Sequence, residues 1–128
     1  MNIRKVKLKD FKKLYQLGLK TPELKVSSTE YFMDPEEFKF NIKNIYEVFL
    51  LSEENDDIIG FIYANAKDEE RDYTMKWACL VYLAVKKKYR VKGIATKLYN
   101  ECCKELNRRK IKFIYGCGQI QNLELLNS

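Results

Sequence analysis

Apolar and polar positions along the chain follow two different spacings, one typical of strands and one typical of helices. The runs YEVFLLSEE and DIIGFIYANA are rich in β-branched and aromatic residues, and Asn55-Asp56-Asp57 separates them as a turn. These features predict an antiparallel hairpin. Further strands are predicted over NIRKVKL near the start of the chain, over MKWACLVYLAV and over IKFIYGCG.

Helical spacing covers the stretches between these strands. FKKLYQLGLK follows Asp10, which is placed to cap it. A second helix starts at Asp34-Pro35-Glu36-Glu37 and runs to about Lys43. A third is predicted over residues 94–107, and NLELLN predicts the first turns of a fourth. The third helix has an apolar stripe at four-residue steps: Ile94, Leu98, Cys102 and Leu106.

The predicted element order is β α α β β β α β α. Antiparallel pairs in the middle, with one strand–helix–strand crossover near the end, predict an α/β fold in which helices cover a mixed sheet. A chain of 128 residues is long enough for one domain, so we expect a single domain over residues 1–128.

Charge and composition narrow the chemistry. Lys and Arg number 24 against 18 Asp and Glu, and the resulting net charge of +6 favours an anionic ligand. The sequence has no histidine and none of its four cysteines forms a CxxC pair, so we expect no metal. No apolar run reaches the length of a membrane span, and the start MNIRKVKLKD is polar. We therefore expect a cytoplasmic protein with no membrane partner.

The turn between the LVYLAV strand and the third helix is a candidate binding site. A helix N-terminus carries partial positive charge and backbone N–H groups without partners inside the helix, so it attracts anions. Gly93 removes a side chain where a ligand approaches, Ala95 is small, and Arg90 and Lys92 add positive charge. Phosphate suits this combination. Two other interpretations stay open at this point: a close packing point at Gly93, and a solvated basic turn.

The hexapeptide RVKGIA, residues 90–95, resembles the acetyl-CoA signature of the GCN5-related N-acetyltransferase (GNAT) family. Its place between a strand ending in Leu-Ala-Val and an amphipathic helix is also similar to that family, as is the element order over essentially the whole chain. The resemblance implies the GNAT fold and transfer of an acetyl group from acetyl-CoA to an amine acceptor by direct attack in a ternary complex. It also implies a C-terminally shortened domain, with the family's last helix and final strands largely missing.

The resemblance assigns cofactor contacts to two segments and one further residue. Leu83, Ala84 and Val85 match the strand whose backbone lines the pantetheine arm. The backbone N–H near Val85 matches the donor to the carbonyl oxygen that becomes negatively charged. The turn that binds the pyrophosphate is matched by Arg90, Val91, Lys92, Gly93, Ile94, Ala95 and Thr96. An asparagine that follows the family's last strand is matched by Asn122.

The sequence does not identify the catalytic side chains. In many relatives a carboxylate on one of two strands is the base, but the matching positions here are Val81 and Cys117. The candidates are therefore Tyr82 and Cys117, although a phenol with a pKa of about 10 is a poor base at neutral pH. The family's proton-donor tyrosine would fall just past Ser128. Four carboxylates could reach a cleft, but the sequence cannot place them and favours a solvated surface position for each: Glu36, Glu37, Glu53 and Glu54.

Three further expectations concern turnover, nucleic-acid binding and dimer formation. The same fold could hold acyl-CoA without turnover. A nucleic-acid binder would use Lys86–Arg90 with the basic residues of 108–112, but aromatics interleave poorly with them, so we expect no nucleic-acid partner. An IKFIYGCG strand without a neighbour would keep an exposed edge, which predicts a homodimer through that edge.

Overall fold

The computed structural model describes residues 1–21, 34–44, 46–65, 77–90, 92–116 and 119–122. They form a six-stranded mixed sheet whose strands lie in chain order. The strands are β1 (Asn2–Lys5), β2 (Val48–Glu54), β3 (Asp57–Asn65), β4 (Trp77–Val85), β5 (Phe113–Gly116) and β6 (Gln119–Asn122). The helices are α1 (Phe11–Leu19), α2 (Pro35–Lys43) and α3 (Ile94–Arg108). Neighbouring strands are antiparallel except β4 and β5, which are parallel and connected through α3.

The predicted hairpin is confirmed as β2 and β3, which are antiparallel and pair Glu54 with Asp57. Asn55 and Asp56 between them have φ values of 52° and 66°. Two successive positive φ values are what a type I′ turn requires, and Asn and Asp tolerate this conformation better than other non-glycine residues. The two-residue turn therefore fixes the register between β2 and β3.

Helices cover both faces of the sheet. The predicted apolar stripe of α3 is buried against one face, together with Val48, Ile59 and Ile62. On the other face, Phe38 of α2 meets Phe49 and Phe61 edge-on, with ring centroids 5.3 Å and 6.3 Å away. Such edge-to-face aromatic pairs add to the stabilisation that burial of the rings gives.

The two helices of the N-terminal half differ in how they begin. α2 begins at Pro35 after Asp34 and ends at Lys43, as predicted. The capping role predicted for Asp10 is wrong, because its side chain makes no capping hydrogen bond to α1. Its carboxylate instead accepts two hydrogen bonds of 2.9 Å from Arg4 and one of 2.8 Å from the N–H of Lys7. A single 3-10 turn over residues 8–10 precedes α1 and directs the carboxylate back to β1.

The C-terminal part of the sheet differs from the prediction. Asn122 lies at the end of β6, paired with Phe113, and not after the last strand at the start of a helix. The exposed edge predicted for the IKFIYGCG strand is also wrong, because β6 pairs with β5. That edge is therefore closed to the homodimer expected through it. Residues 123–128 of the predicted fourth helix lie outside the described residues.

Two features are absent from these described ranges. No helix in them is long and apolar enough to cross a membrane. Nor do they contain a group of three or more His, Cys, Asp and Glu side chains that could hold a metal ion.

Candidate active site

The strands β4 and β5 separate after a short contact. Their parallel pairing extends over Trp77–Cys79 of β4 and Phe113–Tyr115 of β5, whereas β4 continues to Val85. Among the described strands, none pairs with Leu80–Val85 on the side opposite β3. The edge of β4 is therefore open over roughly 17 Å, at 3.3 Å per residue.

A β-bulge marks the point where β4 turns away from β5. Tyr82 lies opposite Tyr63, but Leu80 lies opposite Ala64, so Val81 is an extra residue in β4. A bulge of this kind bends the strand and increases its twist. Val81 is 39% exposed, which is consistent with its place at the mouth of the opening.

The backbone groups of Val85 point into this opening. The N–H of Lys86 donates to the carbonyl of Ile59 at 2.8 Å. Because hydrogen-bonded and non-hydrogen-bonded pairs alternate along an antiparallel ladder, Val85, which lies opposite Gly60, belongs to a non-hydrogen-bonded pair. Its N–H and carbonyl point away from β3, and the same alternation applies to Leu83. An extended ligand lying along β4 would meet these groups as hydrogen-bond partners.

Gly93 holds the N-cap position of α3 in the left-handed conformation, with a φ of 79°. A Cβ atom at this position would have no heavy atom of the described residues within 4 Å. The close-packing interpretation of Gly93 is therefore wrong. The glycine is required by its backbone conformation, and the space in front of it is open to a ligand.

The first turn of α3 has N–H groups without a protein acceptor. A glycine cannot cap the helix with a side chain, and the N–H of Lys97 is the first to bond within it, to the carbonyl of Gly93 at 3.0 Å. No described residue accepts a hydrogen bond from the N–H groups of Ile94, Ala95 and Thr96. Together with the partial positive charge of the helix end, these donors suit an anion.

Arg90 ties this turn to the end of β4. Its Nε donates to the carbonyl of Val85 at 3.1 Å. Next to it, the Nζ atoms of Lys88 and Lys92 lie 5.2 Å and 5.6 Å from the centre of the Tyr89 ring. Cation–π contacts of this length hold both ammonium groups close to the turn. The basic turn is therefore organised by specific contacts.

Two tyrosines occupy the face of the opening that α1 and α2 cover. The rings of Tyr63 and Tyr82 are 6.4 Å apart and T-shaped. Burial raises the pKa of Tyr63, and the neighbouring carboxylate of Glu47 raises it further. Burial also raises the pKa of Tyr82, followed by the negative charge of Glu37. Both phenols therefore keep their protons at neutral pH and act as hydrogen-bond donors, not bases.

The carboxylates considered from the sequence occupy different places. Glu37 on α2 is the one of the four whose charge acts on Tyr82. Glu53 pairs with Arg4 at 3.0 Å, Glu36 is 80% exposed beside Lys39, and Glu54 is exposed. The surface interpretation therefore holds for Glu36, Glu37 and Glu54, which are exposed.

The family is decided by a comparison over most of the chain. The model of the acetyltransferase (GNAT) family matches residues 11–126. The chain belongs to the GNAT acetyltransferase family. Its members are acetyl-CoA-dependent N-acetyltransferases, and the fold class predicted from the element order is confirmed.

Solved structures of other acetyltransferases have a similar fold. The PaiA N-acetyltransferase of Thermoplasma acidophilum, in complex with coenzyme A, is 22% identical with a TM-score of 0.74, and the match covers 90% of this chain and 77% of that one. A GNAT-family acetyltransferase of Staphylococcus aureus Mu50 is also 22% identical, with a TM-score of 0.69 and coverage of 90% and 72%.

A third similar structure contains an aminoglycoside. An aminoglycoside acetyltransferase from an uncultured soil metagenomic sample, in complex with sisomicin, is 17% identical with a TM-score of 0.72 and coverage of 92% and 77%. No curated protein matches the sequence significantly. At these identities the likeness concerns the fold.

The predicted cofactor residues of this GNAT protein lie along one path. Leu83, Ala84 and Val85 end the open part of β4, and the turn that follows leads to the start of α3 at Ile94. Ala84 and Val85 are buried, and along the open edge of β4 the backbone groups of Leu83 and Val85 can meet a ligand, whereas those of Ala84 face β3. Asn122 is separate from this path, in β6. Val91 and Cys117 lie outside the described residues.

Glu47 is a candidate that the sequence reading missed. It directly precedes β2 and is 2% exposed, beside Tyr63. The signal was the two-residue period of YEVFLL, which puts Glu47 on the same face as the buried Phe49 and Leu51. A buried carboxylate next to a protonated phenol is typical of functional sites.

Cys102, Cys103 and the distal basic segment contribute no reactive group to this site. Burial raises the pKa of Cys102 and Cys103, so both thiols are unreactive at neutral pH. Arg108 and Arg109 pair with Glu105 at the far end of α3. Since α3 has 15 residues, it separates them from Lys86–Arg90 by about 22 Å. The two basic segments therefore do not form one continuous surface for nucleic acid.

Proposed function

We propose that this GNAT protein transfers an acetyl group from acetyl-CoA to an amine by direct attack in a ternary complex. The observation that carries the proposal is the continuous path formed by the open edge of β4 and the uncapped start of α3. The residues fit the cofactor, because backbone donors and acceptors follow an extended arm and lead to N–H groups in front of an open glycine. Acetyl-CoA, when bound, supplies the activated acetyl thioester.

Each segment of this path is proposed to bind a different part of acetyl-CoA. The backbone of Leu83 and Val85 binds the amide groups of the pantetheine arm. The N–H groups of residues 92–96 bind the pyrophosphate, with Lys92 adding positive charge, and Asn122 is a further candidate contact. A further backbone N–H of β4, near Val85, donates to the oxygen that gains negative charge during transfer, a contribution that requires no particular side chain.

The face with the two tyrosines supplies the proton transfers. Tyr82, whose raised pKa keeps it protonated, is the proposed proton donor to the leaving sulfur. Glu37 is exposed and close enough to act on Tyr82, and it is the proposed acceptor of the amine proton, directly or through water. Tyr63, which packs against Tyr82 and is influenced by the Glu47 carboxylate, is the proposed positioning residue for the donor. A cationic amine would also be attracted by these two carboxylates.

The acceptor class is an amine carried by a small molecule or a protein. Acyl-CoA binding without turnover is the second candidate, and it is favoured by the sequence of β4, which contains no carboxylate. The two candidates make the same prediction for cofactor binding and differ in release of free CoA.

Calorimetric titration with acetyl-CoA tests the cofactor site. We expect micromolar binding by the wild-type protein and none by Gly93→Glu, whose carboxylate would repel phosphate. Gly93→Asn is the matched control, because asparagine tolerates a positive φ and adds no charge. Binding that survives in Gly93→Glu would contradict the proposed turn.

Release of free CoA in the presence of amines then tests turnover. The panel contains a polyamine, an aminoglycoside such as sisomicin and a peptide with a free N-terminus. CoA release with one of them supports the enzyme. Tight acetyl-CoA binding without release for any of them, or for a wider set of amines, supports the binding module.

A further inference from the structure

A cationic cleft lies beside the turn, on the side of α1. Its volume is about 870 Å³. One wall is the polar face of α1, the other is the end of β4 with the turn that follows, and Leu17, Ile58 and Val85 add apolar surface. The positively charged lining residues are Lys12, Lys13, Lys20, Lys86, Lys87, Lys88 and Arg90.

Among the described residues that line this cleft, positive charge is largely uncompensated. Asp57 is the one acidic residue of that described lining, and it pairs with Lys86 at 2.9 Å. None of the ion pairs between described residues involves the other five lysines of the lining. Five ammonium groups around one concave space repel one another, and a multiply charged anion would relieve that repulsion.

The cleft adjoins the proposed pyrophosphate site without being part of it. The two share the segment from Val85 to Arg90, but Gly93 and the first turn of α3 do not line the cleft. The thioester end of a ligand along β4 would point back towards the bulge at Val81, away from the cleft. The space beyond the end of β4 is therefore left for a second anionic group.

We propose that this cleft is a binding site for a phosphate monoester dianion. Two sources have this chemistry: the 3′-phosphate on the ribose of CoA held at the neighbouring turn, and the phosphate of a separate nucleotide-like ligand. Lysine ammonium groups bind such a compact dianion as point charges, and the apolar floor accommodates the ring attached to it. The first source rests on the proposed function, whereas the second does not.

Three probes distinguish the sources by calorimetry: acetyl-CoA, 3′-dephospho-acetyl-CoA and adenosine 3′,5′-bisphosphate. The test variant is the double substitution Lys13→Gln and Lys20→Gln, on residues that are exposed and seven positions apart on one face of α1. The control is Lys104→Gln with Lys112→Gln. It removes the same charge at a distance from the cleft. Lys104 lies in the C-terminal half of α3, and Lys112 directly precedes β5, which pairs with the first residues of β4.

If CoA supplies the phosphate, the wild-type protein binds acetyl-CoA about tenfold more tightly than its dephospho form, since one charge-assisted contact is worth about that factor. The Lys13/Lys20 variant loses this preference and the Lys104/Lys112 control keeps it.

If a separate ligand supplies the phosphate, acetyl-CoA and its dephospho form bind equally tightly. Adenosine 3′,5′-bisphosphate then still binds to protein saturated with the dephospho form, and only the Lys13/Lys20 variant loses that binding.

The proposal is overturned if the two cofactor forms bind equally and the bisphosphate does not bind, or if the control variant weakens binding as much as the test variant. A protein that binds neither form of acetyl-CoA would contradict the proposed function alone. Titration of the free protein with adenosine 3′,5′-bisphosphate would in that case still decide whether the cleft binds a phosphate monoester.

Discussion

The Nε of Arg90 donates a hydrogen bond of 3.1 Å to the carbonyl of Val85, across the turn that joins β4 to α3. This contact fixes the end of β4, whose backbone lines the proposed path of the pantetheine arm. It also explains why the proposed signature begins with a residue that has a planar, multidentate donor. A lysine at the same place would keep the charge and lose this geometry.

Arg90→Lys is therefore expected to weaken acetyl-CoA binding. The loss of one hydrogen bond of about 1 kcal/mol corresponds to a roughly fivefold higher dissociation constant. Isothermal titration measures it, and Arg108→Lys at the exposed end of α3 is the control. An Arg90→Lys protein with wild-type affinity would show that the bond to Val85 does not organise the site.

Gly60→Ala is expected to destabilise the fold. A Cβ atom at Gly60 would lie 2.9 Å from the carbonyl oxygen of Ala84, 3.1 Å from Oγ of Ser52 and 3.2 Å from Cδ1 of Leu98. Since the nearest atom belongs to the backbone of β4, the strands must separate, at a cost of about 1–3 kcal/mol. Urea unfolding followed by circular dichroism measures the change.

The control for this substitution is Gly93→Ala, where a Cβ atom meets no neighbour and the cost comes from the positive φ alone. That cost is about 1–2 kcal/mol. We expect Gly60→Ala to weaken acetyl-CoA binding too, because Ala84 lies between the two residues whose backbone groups face the opening. Stability equal to the wild type in Gly60→Ala would contradict the close approach of β3 and β4.

Asp10→Asn is expected to reduce stability in a pH-dependent way. Hydrogen bonds from Arg4 lower the pKa of the buried Asp10 carboxyl below its usual value. Its contribution is therefore complete above the unfolded-state pKa of about 3.9 and is lost as the pH falls through the lower folded-state value. At pH 7 the variant should be less stable by about 1.5–3 kcal/mol, the range for hydrogen bonds to charged groups.

Urea unfolding of both proteins from neutral pH down to strongly acidic pH checks this. The difference between them should shrink towards acid, because protonation of Asp10 removes the same interaction in the wild type. Glu54→Gln, at an exposed position, is the control and should change little. A difference that stays constant with pH would mean that Asp10 acts through its shape and not through its charge.

Tyr82→Phe is expected to lower kcat once an acceptor has been found. Removal of a proton donor typically costs about 10²-fold or more, while acetyl-CoA binding should stay within about twofold. Because burial raises the pKa of Tyr82, its ionisation should not limit the rate around neutral pH. Tyr99→Phe, on α3 at the opposite face of the sheet, is the control. Unchanged kcat in Tyr82→Phe would rule out the proposed donor.

The elements that depend on local sequence could be predicted well. The hairpin turn at Asn55 and Asp56 requires only two residues that tolerate a positive φ, and the stripe of α3 requires only a repeated spacing. Asp10 and Asn122 show the limit of such reasoning. A residue with the right chemistry for a cap can bond instead to Arg4, and a residue expected to start a helix can end a strand.

The sequence by itself determined the order of elements up to β5, the basic turn with its glycine and the resemblance to acetyltransferases, because these are local patterns read along the chain. Only the tertiary structure decided the separation of β4 from β5, the direction of the Val85 N–H, the burial of Glu47 and the pairing of β6 with β5. It also brought lysines of α1 and of the turn around one cleft. Each of these features depends on which distant segments lie side by side, and local spacing does not specify such pairing.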